Sequence, residues 1–139
     1  MTRLDPITRM AADYLRATES QTTRDAGGGL GQYIPHTPQP KQQTFLGLDC
    51  REALFGGAAG GGKSDALLMA ALQYVHLKDY HALLLRKTYQ ELALPGAIMS
   101  RSHEWLDHTD AHWSGDNKRW TFPSGATLSF GNCLRKWQR

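Results

Sequence analysis

The chain has 139 residues, 40% of them apolar and 21% charged, the proportions of a soluble globular domain large enough to bury a core. Apolar runs such as Ala82–Leu85 are far too short to cross a bilayer, and Arg3, Asp5, Arg9, Asp13, Arg16 and Glu19 interrupt any secretory leader, so the sequence predicts an intracellular protein. The net charge of +3 resides in Arg135, Lys136 and Arg139; without them 13 basic residues face 13 acidic ones, and composition gives no argument for binding nucleic acid.

In chain order, Leu4-Asp5-Pro6 followed by Ile7, Met10, Ala11, Tyr14 and Leu15 predicts a capped amphipathic helix, with Asp5 as N-cap and Pro6 in the first turn. From Thr22 to Pro40 the composition shifts to Gly27-Gly28-Gly29, Gly31, Pro35, Pro38 and Pro40, a pattern for a mobile linker. Pro40 then opens a short helix over Gln39–Leu48, and Glu52–Phe55 reads as a buried strand ending in glycine. Lys63–Val75 is apolar nearly all round and predicts an interior crossover helix. Ala82–Leu85 supplies a second strand, completing a β-loop-α-β order whose strands should be parallel and whose crossover should be right-handed. Pro95-Gly96 opens a further helix through Leu106. Around the turn Pro123-Ser124-Gly125, Trp120–Phe122 and Thr127–Phe130 alternate apolar and polar residues, as a β-hairpin does.

Gly57-Ala58-Ala59-Gly60-Gly61-Gly62-Lys63-Ser64 satisfies the phosphate-binding pattern G-x-x-x-x-G-K-[ST] and falls between a predicted strand and a predicted helix, where that chemistry requires it. Glycines with the small Ala58 and Ala59 let backbone N–H groups turn inward around phosphate oxygens at the positive end of a helix. In such a loop Lys63 reaches the β- and γ-phosphates and Ser64 places its hydroxyl on Mg²⁺, so ATP and Mg²⁺ are the expected cofactors. Hydrolysis also needs an acidic residue at the end of a later apolar strand. Beyond Ser64 no run of four apolar residues ends in Asp or Glu, and Asp107, Asp110 and Asp116 lie in polar surroundings. The sequence therefore predicts a poor ATPase or none.

Several landmarks accompany the loop in a fixed order. They are Tyr33-Ile34-Pro35-His36, Pro40-Lys41-Gln42 before Phe45-Leu46, Phe55–Ser64, Leu83-Leu84-Leu85-Arg86-Lys87-Thr88-Tyr89, and Phe122-Pro123-Ser124-Gly125-Ala126. From Tyr33 to Gly131 the chain resembles the start of the ATPase domain of tailed-phage terminase large subunits, the motors that pump DNA into preformed capsids. The resemblance implies an α/β fold with a P-loop NTPase-like parallel sheet and flanking helices, incomplete, with an N-terminal helix and a β-hairpin near the C-terminus. It divides the chain into an N-terminal helix (1–21), a Gly/Pro-rich linker (22–40) and a partial P-loop ATPase domain (41–139). It implies double-stranded DNA, a terminase small subunit and a portal protein as partners, and the cytoplasm of a bacterial host as location. Gln42 matches the adenine-reading glutamine, whose amide both donates and accepts, against the reading of a solvated surface glutamine. Arg86 matches an arginine that follows the second strand.

In that family the chain runs on to a carboxylate-bearing strand and a nuclease domain, whereas this sequence stops at Arg139, and Cys133–Arg139 departs from the pattern. A truncated prophage product with exposed strand edges is the expectation, by resemblance an ATP-binding fragment of a DNA-packaging motor ATPase, with a catalytically inactive remnant or nucleotide-binding module as the alternative. A P-loop kinase is a weaker alternative, because no Arg-rich lid is visible between Tyr89 and Arg139. His103-Glu104-Trp105-Leu106-Asp107 begins like HExxH but lacks the second histidine, so His103, His108 and His112 read as ordinary polar residues. Trp105, Trp113 and Trp120 read as packing groups, and Cys50 and Cys133 as free thiols.

Overall fold

A computed structural model describes residues 31–133. The expected helix at Leu4–Leu15, the glycines at 27–29 and the basic residues at 135, 136 and 139 lie outside them. In chain order the elements are α1 (Gly31–Tyr33), α2 (Pro40–Leu46), α3 (Lys63–Leu72), β1 (His81–Arg86), α4 (Tyr89–Ala93), α5 (Ile98–Leu106), β2 (His112–Ser114), β3 (Arg119–Thr121) and β4 (Thr127–Asn132). The fold is α/β. Its one sheet has the order β1-β4-β3-β2 and is mixed: β1 runs parallel to β4, while β4, β3 and β2 are antiparallel neighbours.

Two expectations change here. The sheet is not wholly parallel, because the C-terminal hairpin joins it instead of standing apart, with β4 lying directly beside β1. Nor does Glu52–Phe55 form a strand. A strand needs a neighbour for its N–H and C=O groups, and none of the four strands runs beside this segment. Leu54 is 97% exposed, and Phe55 packs on Phe45 of α2 at 5.0 Å between ring centroids. The β-loop-α-β unit is thus loop-α-β among the described residues.

Local signals account for the rest. Pro40 occupies the first turn of α2, where its missing N–H costs nothing, and Thr88 caps α4 by accepting the Glu91 N–H at 3.2 Å. On α5 the buried residues Ile98, Ser102, Trp105 and Leu106 recur at helical spacing and define the face turned to the core. β2 extends the hairpin by pairing Trp113 with Trp120, their rings 5.1 Å apart.

The core lies between one face of the sheet and the helices. Trp120, Leu128 and Phe130 join Leu68, Met69 and Leu72 of α3 and Trp105 and Leu106 of α5, with Ala82 and Leu84 packed at its margin. The indole N–H of Trp120 donates to Ser102 Oγ at 3.0 Å, so the largest buried ring leaves no polar atom unpaired. Residues 31–38, inside the stretch read as linker, join this core through Tyr33 and Ile34. The Tyr33 hydroxyl donates to Asp110 Oδ1 at 2.7 Å, and its ring packs edge-on against Phe122.

Among the described residues the opposite face of the sheet is open at β1. Leu83 and Leu85 on β1 are 59% and 54% exposed, and β1 is an edge strand. Parallel strands ordinarily carry cover on both faces. α3 is also less buried than its composition implied, since Leu67 is exposed. Among the described residues no helix is long and apolar enough to cross a membrane.

The two faces predict opposite responses. Leu128→Ala, at a fully buried site, should lower the unfolding free energy by about 2–5 kcal/mol, whereas Leu83→Ala should change it by roughly 0.5 kcal/mol or less. Chemical denaturation of the two variants checks this. The Tyr33 hydrogen bond also holds the Asp110 carboxyl below its ordinary value of 3.8. A lowered native value stabilises the fold above the unfolded pKa, and that contribution fades as pH falls through the native one. The stability difference between wild type and Tyr33→Phe should therefore be largest near neutrality and shrink below about pH 4, as thermal melts across pH will show.

Candidate functional site

Residues 57–62 form an irregular turn that enters α3 directly, with Gly62 as its N-cap. Gly60 and Gly62 have φ of +78° and +72°, a left-handed conformation that glycine adopts at no steric cost. That conformation lets the chain reverse and start a helix within three residues. The first N–H groups of an α-helix have no partner inside it, so those of Lys63, Ser64 and Asp65 face outward at the positive end of α3.

Lys63 curls back over the loop. Its Nζ donates to the carbonyl oxygens of Gly57 at 2.8 Å and Ala58 at 2.5 Å, which places one ammonium at the mouth of the turn. A cleft of about 290 Å³ opens there, lined by Gly60, Gly61, Gly62, Lys63, Ser64, Asp65, Gly96 and Arg101. It combines backbone amides, a hydroxyl and two cations, which is the chemistry of an oxyanion site. Ala58 and Ala59 lie at the exposed turn of the loop outside this lining.

Gln42 is not a solvated surface residue. It is 3% exposed. Its Oε1 accepts the Gln39 N–H at 2.8 Å and its Nε2 donates to the Gly62 carbonyl at 2.9 Å, so the side chain caps α2 and ties it to the turn that starts α3. Both ends of the amide are engaged inside the chain. A Cβ built on Gly62 would sit 2.7 Å from Gln42 Nε2, so the tether depends on glycine there for space as well as for φ.

Two residues that motif reading did not single out complete the cleft. Asp65, in the first turn of α3, accepts from Arg101 Nη1 of α5 at 2.8 Å. Its other carboxylate oxygen lies 3.7 Å from His36 Nε2, and the His36 ring packs edge-on against Trp105. The landmark Tyr33–His36 thus approaches Asp65 through His36, which itself lies outside the cleft lining. Arg86 is exposed at the end of β1 and also outside the lining.

Of the remaining candidates, His103, Trp105, Trp113 and Trp120 serve packing, while His108 and His112 are exposed. His103 lies against Trp113 and Trp120 and contacts Asp107 at 2.9 Å, while Trp105 and Trp120 are buried. Cys50 and Cys133 are free and exposed. A second cleft of about 400 Å³, lined by Ile34, Pro35, His36, Leu46 and Met69 among others, is apolar and lacks convergent charged groups.

The tether makes a sharp contrast between neighbouring glycines. Gly62→Ala combines a left-handed φ with a collision at Gln42 and should cost about 1–3 kcal/mol of stability. Gly56→Ala, with open space around its Cβ, should change stability by roughly 0.5 kcal/mol or less. Denaturant titration of both variants gives the comparison. No protein-family model, curated protein or solved structure matches this chain.

Proposed function

We propose that residues 57–64 bind the phosphates of Mg-ATP, and that the chain is the nucleotide-binding part of a terminase large subunit of a tailed phage. The observation that carries the reading is the left-handed glycine turn running into α3 with Lys63 folded over its mouth. Loop amides and the start of α3 suit phosphate oxygens, Lys63 supplies the cation and the Ser64 hydroxyl suits Mg²⁺. The landmark order from Tyr33 to Gly131 supports the terminase lineage, in which DNA, a small subunit and the portal are the partners. Mg²⁺ bound with ATP there neutralises phosphate charge.

One observation favours binding without turnover in this chain. Among the described residues the only carboxylate lining the cleft is Asp65, and it is engaged by Arg101. No carboxylate from a strand end among the described residues lines the cleft to orient a water, so a nucleotide-binding module without catalysis is the second reading.

Calorimetric titration with Mg-ATP should give saturable binding that Lys63→Ala weakens at least about tenfold, since a charge-assisted hydrogen bond is worth roughly 1.5–3 kcal/mol. Phosphate release should stay at background with or without double-stranded DNA. Stimulated release would favour a working motor over the module, and binding indifferent to Lys63→Ala would remove the phosphate reading altogether.

A further inference from the structure

Arg101 is the second cation of the cleft, and it comes from α5, well outside the glycine motif. Its side chain is 35% exposed, against 16% for Asp65. A guanidinium carries five N–H donors in a planar fork that matches two phosphate oxygens at once. Asp65 takes only Nη1, at 2.8 Å, and Nε is buried with no hydrogen-bond partner among the described residues. The fork is therefore underused where it lies, on the wall of a cleft that also carries the Lys63 ammonium, the Ser64 hydroxyl and the first amides of α3.

Asp65 is placed to release it. Its carboxylate sits in the first turn of α3, where the helix end stabilises negative charge, and His36 already approaches its second oxygen. Departure of Arg101 leaves the Asp65 carboxylate at the positive end of α3. A polyphosphate carries more charge than one carboxylate and offers the bidentate geometry that Asp65 does not fill.

We infer that Arg101 is a phosphate ligand of this site, held on Asp65 beforehand and transferred to the phosphate chain of the incoming nucleotide. The inference rests on the reading of residues 57–64 as a phosphate site. It adds a residue and an exchange step to that site, and it separates Arg101 from a surface ion pair that merely braces α5 against α3.

Affinities for Mg-ATP and for Mg-pyrophosphate, a probe without base or sugar, test it in wild type, Arg101→Gln, Asp65→Asn and the double variant. Arg101→Gln should weaken both ligands about tenfold, the value of one charge-assisted contact. Asp65→Asn should tighten both by a few fold, and that gain should vanish when Arg101→Gln is also present. An equal gain in both backgrounds would mean that Asp65 acts only through its field, and it overturns the exchange. Unchanged affinity in Arg101→Gln, with Lys63→Ala still damaging, overturns the role of Arg101 and leaves the loop reading intact. Indifference to Lys63→Ala removes both. Should Arg101→Gln fail to fold, Arg101→Lys keeps the charge without the fork: lowered affinity supports the inference, and unchanged affinity overturns it.

Discussion

The left-handed turn at Gly62 is the constraint around which the site is built. It starts α3 abruptly, exposes the first amides of that helix and brings Lys63 back over the loop it has just left. A side chain at position 62 is excluded twice, by φ and by the Gln42 amide. Gln42 in turn carries α2, so a backbone conformation at one residue fixes the position of a helix from another part of the chain. Asp65, one turn further on, extends the same organisation to α5 through Arg101 and to residues 33–36 through His36.

The sheet shows a different balance. Its helix-covered face holds a continuous core from Leu68 to Phe130, with the Trp120–Ser102 hydrogen bond pairing the more deeply buried of its two buried indoles. Its other face leaves Leu83 and Leu85 in solvent on an edge strand, an arrangement prone to pairing with further polypeptide. The glycine at position 131 of β4 lets those side chains lie flat, since a Cβ there would meet Leu85 Cδ2 at 2.9 Å.

What the sequence made legible was contiguous. The glycine loop, α3, α5, β1 and the hairpin each announce themselves by a motif, a helical period or an alternation within a dozen residues. β2 is only three residues long and has no period to read, whereas the cap of α4 is encoded locally as Thr88-x-x-Glu91. The strand expected at Glu52–Phe55 fails for a non-local reason: its apolar pattern is right, but strand status depends on a partner elsewhere in the chain. The same limit applies to the site. Gly57–Ser64 could be read directly, but the bond from Gln42 to Gly62 spans 20 positions and that from Arg101 to Asp65 spans 36, and no spacing rule encodes either.

The central claim is that this turn presents its amides to phosphate, and amide chemical shifts report on it residue by residue. Titration of labelled protein with Mg-ATP, followed by two-dimensional ¹H–¹⁵N spectra, should move the resonances of Gly60–Asp65 together with a single saturation curve. Resonances that stay fixed there, or that move instead around Ile34, Leu46 and Met69 at the apolar cleft, would contradict the account.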